Sequence, residues 1–268
     1  EIFKQMSSLG FGFIEIGTVT PVPQDGNPKK RIFRLVNDNA IINRLGFNND
    51  GVDKIKDRLR NKGNIIIGGN IGKNKVTPNE KAKDDYLICF KALFDYVDYF
   101  AVNVSSPNTP NLRDLQNIND LREILSPLIK ENKKRESKPI LIKISPDLID
   151  DNIKDLVDMA LDLKIDGIIT SNTTIKRNNL KSKKKLTDES GGLSGQPLNN
   201  RSTDIIRLIH EYSNKKLPII GVGGIMTTQD ALDKINAGAS LIQLYTGFIY
   251  NGPSFARNIN KEIIKSLN

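Results

Sequence analysis

Short apolar segments alternate with amphipathic helical patterns along almost the whole chain of 268 residues. Such alternation predicts parallel βαβ units with right-handed crossovers, and hence the α/β fold class. We expect seven strands, at residues 13–16, 65–71, 99–104, 140–144, 167–170, 219–222 and 241–244. The helices between them are expected at residues 51–61, 80–96, 115–132, 153–163, 202–212 and 228–237.

A (β/α)8 barrel of the TIM type is the favoured architecture, because polar and glycine-rich motifs follow nearly every predicted strand. The loops of a barrel converge on one site at the carboxyl ends of its strands. An open, doubly wound sheet is the alternative, but its usual G-x-G-x-x-G motif is absent from the sequence. Since a closed barrel has eight strands, we expect the first strand to lie upstream of residue 1. Residues 1–268 are expected to form a single barrel domain, partial at its N-terminus.

The composition excludes several kinds of chemistry. Cys89 is the only Cys and His210 the only His, so neither a zinc site nor a Ser-His-Asp triad is available. The net charge of +9 is concentrated at residues 130–138 and 181–185, between predicted elements, so we expect solvated segments there and no nucleic-acid binding. No apolar run approaches the ~18 residues of a membrane helix. An enzyme of this composition would depend on Ser, Lys, Asn, Thr and a cofactor, without a metal.

The segment at residues 103–109, Asn-Val-Ser-Ser-Pro-Asn-Thr, places amides and hydroxyls where a buried strand ends. These groups offer many neutral donors and acceptors and no charge. They suit a small, planar, amide-rich ligand better than a phosphate or a metal. Other predicted loops carry similar groups, and we expect four amides to clamp such a ligand: Asn43, Asn103, Asn108 and Asn172.

Two further features suggest a phosphate-bearing cofactor. Lys143 interrupts an apolar strand, where it would favour negative charge in a barrel mouth; the alternative is a structural salt bridge to a neighbouring carboxylate. Gly223 and Gly224 follow the next-to-last predicted strand and lead into a helix, as in the phosphate sites of many barrels. Residues 191–195, Gly-Gly-Leu-Ser-Gly, are expected to form a flexible loop that folds over a ligand.

Together these motifs, in this order and at this spacing, resemble dihydroorotate dehydrogenase of class 2, the membrane-associated, quinone-reducing type. The similarity extends from residues 10–13 through residues 251–253. It implies an FMN-containing barrel that oxidises (S)-dihydroorotate to orotate in pyrimidine (UMP) biosynthesis. It also implies a ubiquinone-type quinone as the final electron acceptor.

The resemblance also implies roles for individual residues. Ser106 would be the base that removes a proton from the substrate, helped by Thr109 and an ordered-water route past Phe47, and Lys143 would stabilise the reduced flavin. The implied substrate contacts are Asn43, Phe47, Asn103, Asn108, Asn172 and Thr173. The implied FMN contacts are Gly17, Thr18, Asn70, Asn103, Lys143, Ser171, Ser194, Gly195, Gly223, Gly224, Tyr245 and Thr246. Arg34 and Tyr245 resemble residues at the inner end of the quinone tunnel.

The two alternative functions are a flavin-dependent tRNA dihydrouridine synthase and a non-catalytic barrel. Class 1 dihydroorotate dehydrogenases and flavin-dependent tRNA dihydrouridine synthases both use a catalytic Cys, whereas the only Cys here, Cys89, lies in a predicted helix. A barrel that binds FMN without catalysis is the second alternative. The class 2 resemblance implies a monomer that attaches peripherally to the mitochondrial inner membrane, or alternatively to a bacterial cytoplasmic membrane. The family's Lys-containing first strand and its N-terminal tunnel helices are expected upstream of this sequence.

Overall fold

Seven parallel strands form the central sheet of the computed structural model, which describes residues 2–267. The elements follow one another as α1 (Phe3–Ser8), β1 (Phe13–Val19), β2 (Ile32–Leu35), β3 (Ala40–Asn43), α2 (Gly51–Leu59), β4 (Ile66–Ile71), α3 (Ala82–Leu93), β5 (Tyr99–Asn103), α4 (Ile118–Asn132), β6 (Ile140–Ile144), α5 (Asp150–Asp162), β7 (Gly167–Thr170), α6 (Lys184–Thr187), β8 (Gly192–Gly195), α7 (Asn199–Tyr212), β9 (Ile219–Val222), α8 (Thr228–Asn236), β10 (Leu241–Gln243), α9 (Thr246–Asn251) and α10 (Phe255–Leu267).

The strand order in the central sheet is β1-β4-β5-β6-β7-β9-β10, and every neighbouring pair is parallel. All seven predicted strands are therefore confirmed. The two edge strands approach each other across the interior, because Gln243 on β10 donates from Nε2 to Oε2 of Glu15 on β1 at 2.8 Å. The sheet is thus curled in the manner of a barrel. The expected eighth strand concerns residues outside this sequence and stays a prediction.

Alternation along the strands separates an outer core from an inner one. Phe100 and Val102 of β5 face outward into the large core between the sheet and the helices. Tyr99 and Ala101 face inward, in a small apolar cluster with Leu141, Ile169 and Ile220. Because successive side chains of a strand point to opposite faces, the same alternation directs Asn103 and Lys143 into the barrel interior.

A second sheet, with the order β2-β3-β8, is antiparallel, and its strand β8 is bridged at Leu193 to Thr174 in the segment after β7. The expectation of a flexible loop at residues 191–195 was wrong, because Gly192–Gly195 is a buried strand paired with β3. Residues 32–35, expected within a long connection, form β2. These strands of four residues carry no apolar alternation strong enough to be identified in the sequence.

The helix expected from residue 228 is confirmed, together with the signals at its two ends. Thr227 and Asp230 form a reciprocal capping box at the start of α8. Beyond its end, Gly238 adopts a left-handed φ of 113°, as glycines after helices often do. Cys89 and His210 both lie in helices, α3 and α7, as expected.

Candidate active site

A cavity of roughly 840 Å³ includes the carboxyl ends of the barrel strands and extends between β1 and β10 as far as Phe13 and Leu241. Its size is typical of small-molecule and cofactor sites. The walls bring together most of the residues expected from the sequence: Gly17, Thr18, Asn43, Phe47, Asn70, Asn103, Ser106, Asn108, Lys143, Ser171, Asn172, Thr173, Ser194, Gly195, Gly223, Gly224, Tyr245 and Thr246. Thr109 and Arg34 are not among the described residues that line it.

The neutral side chains of the cavity form one connected hydrogen-bond chain. Asn172 donates from Nδ2 to Oδ1 of Asn103 at 3.2 Å, and Asn103 donates from Nδ2 to Oγ1 of Thr18 at 2.8 Å. Thr18 in turn donates to Oδ1 of Asn70 at 2.6 Å. These residues lie in or directly after β7, β5, β1 and β4. The amide orientations are thus fixed by contacts between four different strand ends, which produces a rigid, uncharged surface.

A second amide pair lies where β3 meets the loop after β5. Asn108 donates from Nδ2 to Oδ1 of Asn43 at 3.0 Å. The Oδ1 atom of Asn108 is buried and has no hydrogen-bond partner among residues 2–267. Buried polar atoms are nearly always paired, so this acceptor is suited to an N–H group of a bound molecule. All four predicted amide clamps therefore line the same cavity, and together we call them the amide wall.

Ser106 is 6% exposed, and its Oγ accepts a hydrogen bond from the backbone N–H of Asn108 at 3.2 Å. Within the described chain, no carboxylate or imidazole contacts this hydroxyl. Thr109 is buried three residues further on, and its Oγ1 is unpaired in the described structure. Phe47 is held in a left-handed conformation (φ 55°) by side chains that bind its carbonyl oxygen, including Asn49 Nδ2 at 2.7 Å.

One ion pair supplies the charge inside the barrel. Lys143 Nζ lies 2.8 Å from Oε1 of Glu15, which also accepts from Asn70 Nδ2 at 2.8 Å. The other carboxylate oxygen accepts from Gln243 Nε2 at 2.8 Å and from Tyr99 Oη at 3.4 Å. Four donors from four other strands thus surround one carboxylate. The salt bridge considered as the alternative role of Lys143 is present, and Lys143 also lines the cavity.

The environment of this carboxylate opposes its protonation. Burial by itself would raise the pKa of Glu15, but the charge of Lys143 and the hydrogen bonds from Lys143, Gln243 and Asn70 together lower it. Burial and the neighbouring Glu15 charge raise the pKa of Tyr99. At neutral pH the interior therefore holds a carboxylate beside a neutral phenol.

A second ion pair, which the sequence did not indicate, supports the loops that carry Ser106 and Thr173. Arg113 pairs with Asp147 at 2.8 Å, and it donates to the carbonyl oxygens of Ser105 at 3.0 Å and Thr173 at 2.7 Å. Asp147 also accepts from Thr174. Arg113 therefore connects the loops after β5, β6 and β7. An Arg in a polar loop carries no sequence signal for this role.

At the glycine-rich end of the cavity, Gly223 and Gly224 form a wall without side chains that packs closely against α7; we call this wall the glycine cradle. Gly224 has φ 72°, and a Cβ there would lie 2.4 Å from the Asn199 backbone. On the facing side, Thr246 donates to Ser194 Oγ at 2.8 Å. The Oγ atom of Ser171 is buried without a partner in the part of the chain that the structure describes. A cradle without side chains and an unpaired buried hydroxyl both fit a large, polar cofactor such as FMN.

Three further residues considered in the sequence differ in their relation to the cavity. Tyr245 lines the cavity and is half-exposed. Arg34 is exposed on β2. The Cys89 thiol is buried in α3, where burial raises its pKa, and its Sγ donates to the carbonyl oxygen of Val19 at 3.6 Å. A catalytic role for this thiol would require an ionised sulfur in the cavity.

The chain is similar to dihydroorotate dehydrogenases along nearly its whole length. The family model described as dihydroorotate dehydrogenase matches residues 1–267. A curated protein of Christiangramia forsetii named dihydroorotate dehydrogenase (quinone) is 58% identical, over 99% of this chain and 78% of the relative. Relatives of the same name from a Synechococcus strain (50% identical, 97% of this chain and 72% of the relative) and Vibrio parahaemolyticus (48%, 98% and 80%) also match.

The fold is likewise similar to that of a solved structure. The DHODH of Eimeria tenella in complex with ferulenol superposes with a TM-score of 0.93 at 40% identity, covering 99% of this chain and 77% of that one. The curated relatives named above are bacterial, so they do not support the mitochondrial location expected from the sequence. Among the residues described, no helix is long and apolar enough to span a bilayer. The chain belongs to the dihydroorotate dehydrogenase family.

Proposed function

We propose that this protein oxidises (S)-dihydroorotate to orotate in pyrimidine biosynthesis, with FMN as the hydride acceptor and a ubiquinone-type quinone as the final electron acceptor. Membership of the family and the quinone-type names of its relatives support the reaction. The observation that carries the proposal furthest is the convergence of four neutral amides and Ser106 on one cavity with Lys143. That arrangement offers a binding surface for a planar amide ligand, a base and a partly buried cation together.

The cofactor is assigned to the part of the cavity between Lys143 and the glycine cradle. FMN supplies a hydride acceptor when it is bound. Gly223, Gly224, Ser194 and Thr246 would hold its phosphate end, because they combine a cradle without side chains with two neighbouring hydroxyl groups. The ammonium of Lys143 would offset negative charge on the reduced ring system, since a fixed charge in a poorly solvated site needs no reorganisation.

The substrate is assigned to the amide wall. Dihydroorotate has ring N–H donors and carbonyl acceptors, which match the mixed donors and acceptors of Asn43, Asn103, Asn108 and Asn172. The unpaired Oδ1 of Asn108 is the acceptor that most needs such a partner. Thr173 is held beside this wall because its N–H donates to Asn172 Oδ1 at 2.8 Å, while Arg113 binds its carbonyl oxygen.

Ser106 is proposed as the base that removes a proton from the C5 carbon of the substrate. A serine hydroxyl is a weak base at its ordinary pKa, so it needs assistance. The N–H that Asn108 donates to Ser106 Oγ stabilises negative charge developing on that oxygen. Thr109, whose hydroxyl has no partner among the described residues, and an ordered-water route past Phe47 would carry the departing proton toward solvent.

The quinone acceptor also bears on where the enzyme is located in the cell. Because quinones reside in membranes and the named curated relatives are bacterial, we expect a monomer attached peripherally to a bacterial cytoplasmic membrane. Tyr245, half-exposed at the cavity mouth, and Arg34 on β2 would lie toward the quinone. No nucleic-acid partner is proposed.

Steady-state oxidation of dihydroorotate tests this function. Purified, flavin-loaded protein is offered ubiquinone, fumarate and NAD in separate assays. We expect turnover with ubiquinone that exceeds turnover with the other two acceptors. Preference for fumarate or NAD would contradict the quinone assignment, and a colourless protein that takes up no flavin would contradict the cofactor assignment.

A further inference from the structure

Lys234 of α8 is completely buried, with 0% of its surface exposed. Its Nζ donates to Ser202 Oγ at 2.6 Å, to Thr203 Oγ1 at 3.0 Å and to the carbonyl oxygen of Asn199 at 3.4 Å. All three partners are neutral and belong to the start of α7. Across residues 2–267, no carboxylate lies within ion-pair distance of this ammonium. An unpaired buried cation is costly, so its retention calls for a functional explanation.

The charged groups nearest to Lys234 are three carboxylates, each already bound to other donors. Asp230, on the same helix, accepts from the N–H groups that start α8 and from Asn199 Nδ2 at 2.9 Å. Asp233 accepts from Gln229 Nε2 at 2.7 Å.

The third carboxylate, Asp204 on α7, pairs with Arg207 at 3.1 Å. Burial lowers the pKa of Lys234 to about 8, against the opposing influence of Asp230, Asp233 and Asp204. Lys234 is therefore mostly protonated at neutral pH. It becomes neutral only in mildly alkaline solution.

Lys234 lies directly behind the glycine cradle. Ser202, which accepts from Lys234, donates from its own hydroxyl to the carbonyl oxygen of Gly223 at 3.1 Å. Asn199, whose carbonyl oxygen accepts from Lys234, donates from Nδ2 to the carbonyl oxygen of Gly224 at 2.8 Å. Gly223 and Gly224 form part of the cavity wall. Ser202 thus links the Lys234 ammonium to Gly223, and Asn199 links it to Gly224.

We propose that Lys234 is a positioning residue whose buried charge makes the cradle selective for a phosphorylated flavin over an unphosphorylated one. The charge acts from behind the wall, through the low-dielectric interior, and does not touch the ligand. Its hydrogen bonds to Ser202 and Asn199 also fix the orientation of the two glycine carbonyls. This inference rests on the proposed assignment of FMN to the cavity.

The test compares FMN and riboflavin, which differ only in the phosphate. Dissociation constants are measured by quenching of flavin fluorescence with deflavinated protein, for the unmodified chain and for Lys234→Met. We expect the preference for FMN over riboflavin to fall on the order of tenfold in Lys234→Met, with riboflavin binding little changed. Lys73→Met is the matched control, since Lys73 is 2% exposed but donates to Thr77 in another loop; it should keep the preference.

A preference unchanged in Lys234→Met, or equal weakening of both flavins, would overturn the proposal and leave Lys234 a structural role. If Lys234→Met does not fold, the pH dependence of flavin binding by the unmodified protein tests the proposal instead. Its preference for FMN should decline by about threefold to tenfold between pH 7.5 and 9.5, because the ammonium is lost in that range while the phosphate stays ionised. A constant preference over that range would overturn the proposal too. Failure of the unmodified protein to bind FMN would instead reject the cofactor assignment.

Discussion

Lys143 Nζ and Glu15 Oε1 lie 2.8 Å apart, although β4 and β5 separate their strands in the sheet. The contact therefore crosses the barrel interior and does not follow the hydrogen-bonded ladder. Glu15 also binds side chains from β4, β5 and β10. This one carboxylate joins both edges of the sheet to its centre, and it fixes the cation that faces the cavity.

Substitution of one residue of this ion pair should lower the free energy of unfolding more than substitution of both. Lys143→Met leaves Glu15 buried without its counter-ion, and we expect a loss of about 3–5 kcal/mol in the free energy of unfolding. The double variant Glu15→Gln, Lys143→Met should recover a substantial part of that loss. Urea unfolding of the single and double variants measures both quantities. Additive losses would show that the two side chains do not stabilise each other.

The stability contributed by Glu15 should depend on pH in one direction. Because the folded-state pKa of Glu15 is lowered, its contribution is present above the unfolded value near 4.5 and is lost as the pH falls through the folded value. The difference in unfolding free energy between the unmodified protein and Glu15→Gln should therefore be constant from pH 7 to about 5 and shrink below that. The other carboxylates are present in both proteins, so their contributions cancel in this difference. A difference independent of pH down to 3 would refute the assignment.

Arg113 should affect substrate binding without affecting the cofactor. Arg113→Met removes the pair with Asp147 and frees the carbonyl oxygens of Ser105 and Thr173, so the amide wall loses its support. We expect KM for dihydroorotate to rise on the order of tenfold while the flavin content stays normal. Arg122→Met is the control, because Arg122 pairs with Asp162 on the helical exterior. Equal effects of the two variants would contradict this role.

The glycine cradle can be tested with two alanine substitutions of similar backbone strain. Gly224 (φ 72°) and Gly63 (φ 60°) both have left-handed backbone conformations. A Cβ at Gly224 would lie 2.4 Å from the Asn199 backbone, whereas a Cβ at Gly63 would have no described atom of another residue within 4 Å. Gly63→Ala should cost about 1–2 kcal/mol in stability and keep its flavin. Gly224→Ala should lose flavin during purification, as measured by the ratio of flavin to protein absorbance. Full flavin retention by Gly224→Ala would contradict the cradle.

The sequence predicted those features that a regular pattern of neighbouring residues determines. Apolar strands alternating with helices predicted the seven parallel strands, and the amides after β5 and β7 were correctly expected to come together, since they line one cavity. The antiparallel sheet could not be predicted, because Gly192–Gly195 is held by pairing with β3 rather than by a pattern of its own. Such pairing depends on distant parts of the chain.

The missed site residues show the same limit. Glu15 interrupts an apolar strand just as Lys143 does, so the sequence contained the signal for a buried polar group. It could not identify the partner, because the pair forms only when β1 and β6 curl around one interior. Arg113 and Lys234 gave no signal, since their roles depend on which carbonyls and hydroxyls the folded loops place beside them.

Anaerobic reduction of the bound flavin by dihydroorotate, followed by stopped-flow absorbance in Ser106→Ala, tests the central claim most directly. The substitution removes the proposed base and leaves the cofactor contacts in place. The variant should retain FMN and lose flavin reduction by on the order of 10²–10⁴-fold, and Thr109→Val should cause a smaller loss. Flavin reduction in Ser106→Ala at the rate of the unmodified protein would contradict the account.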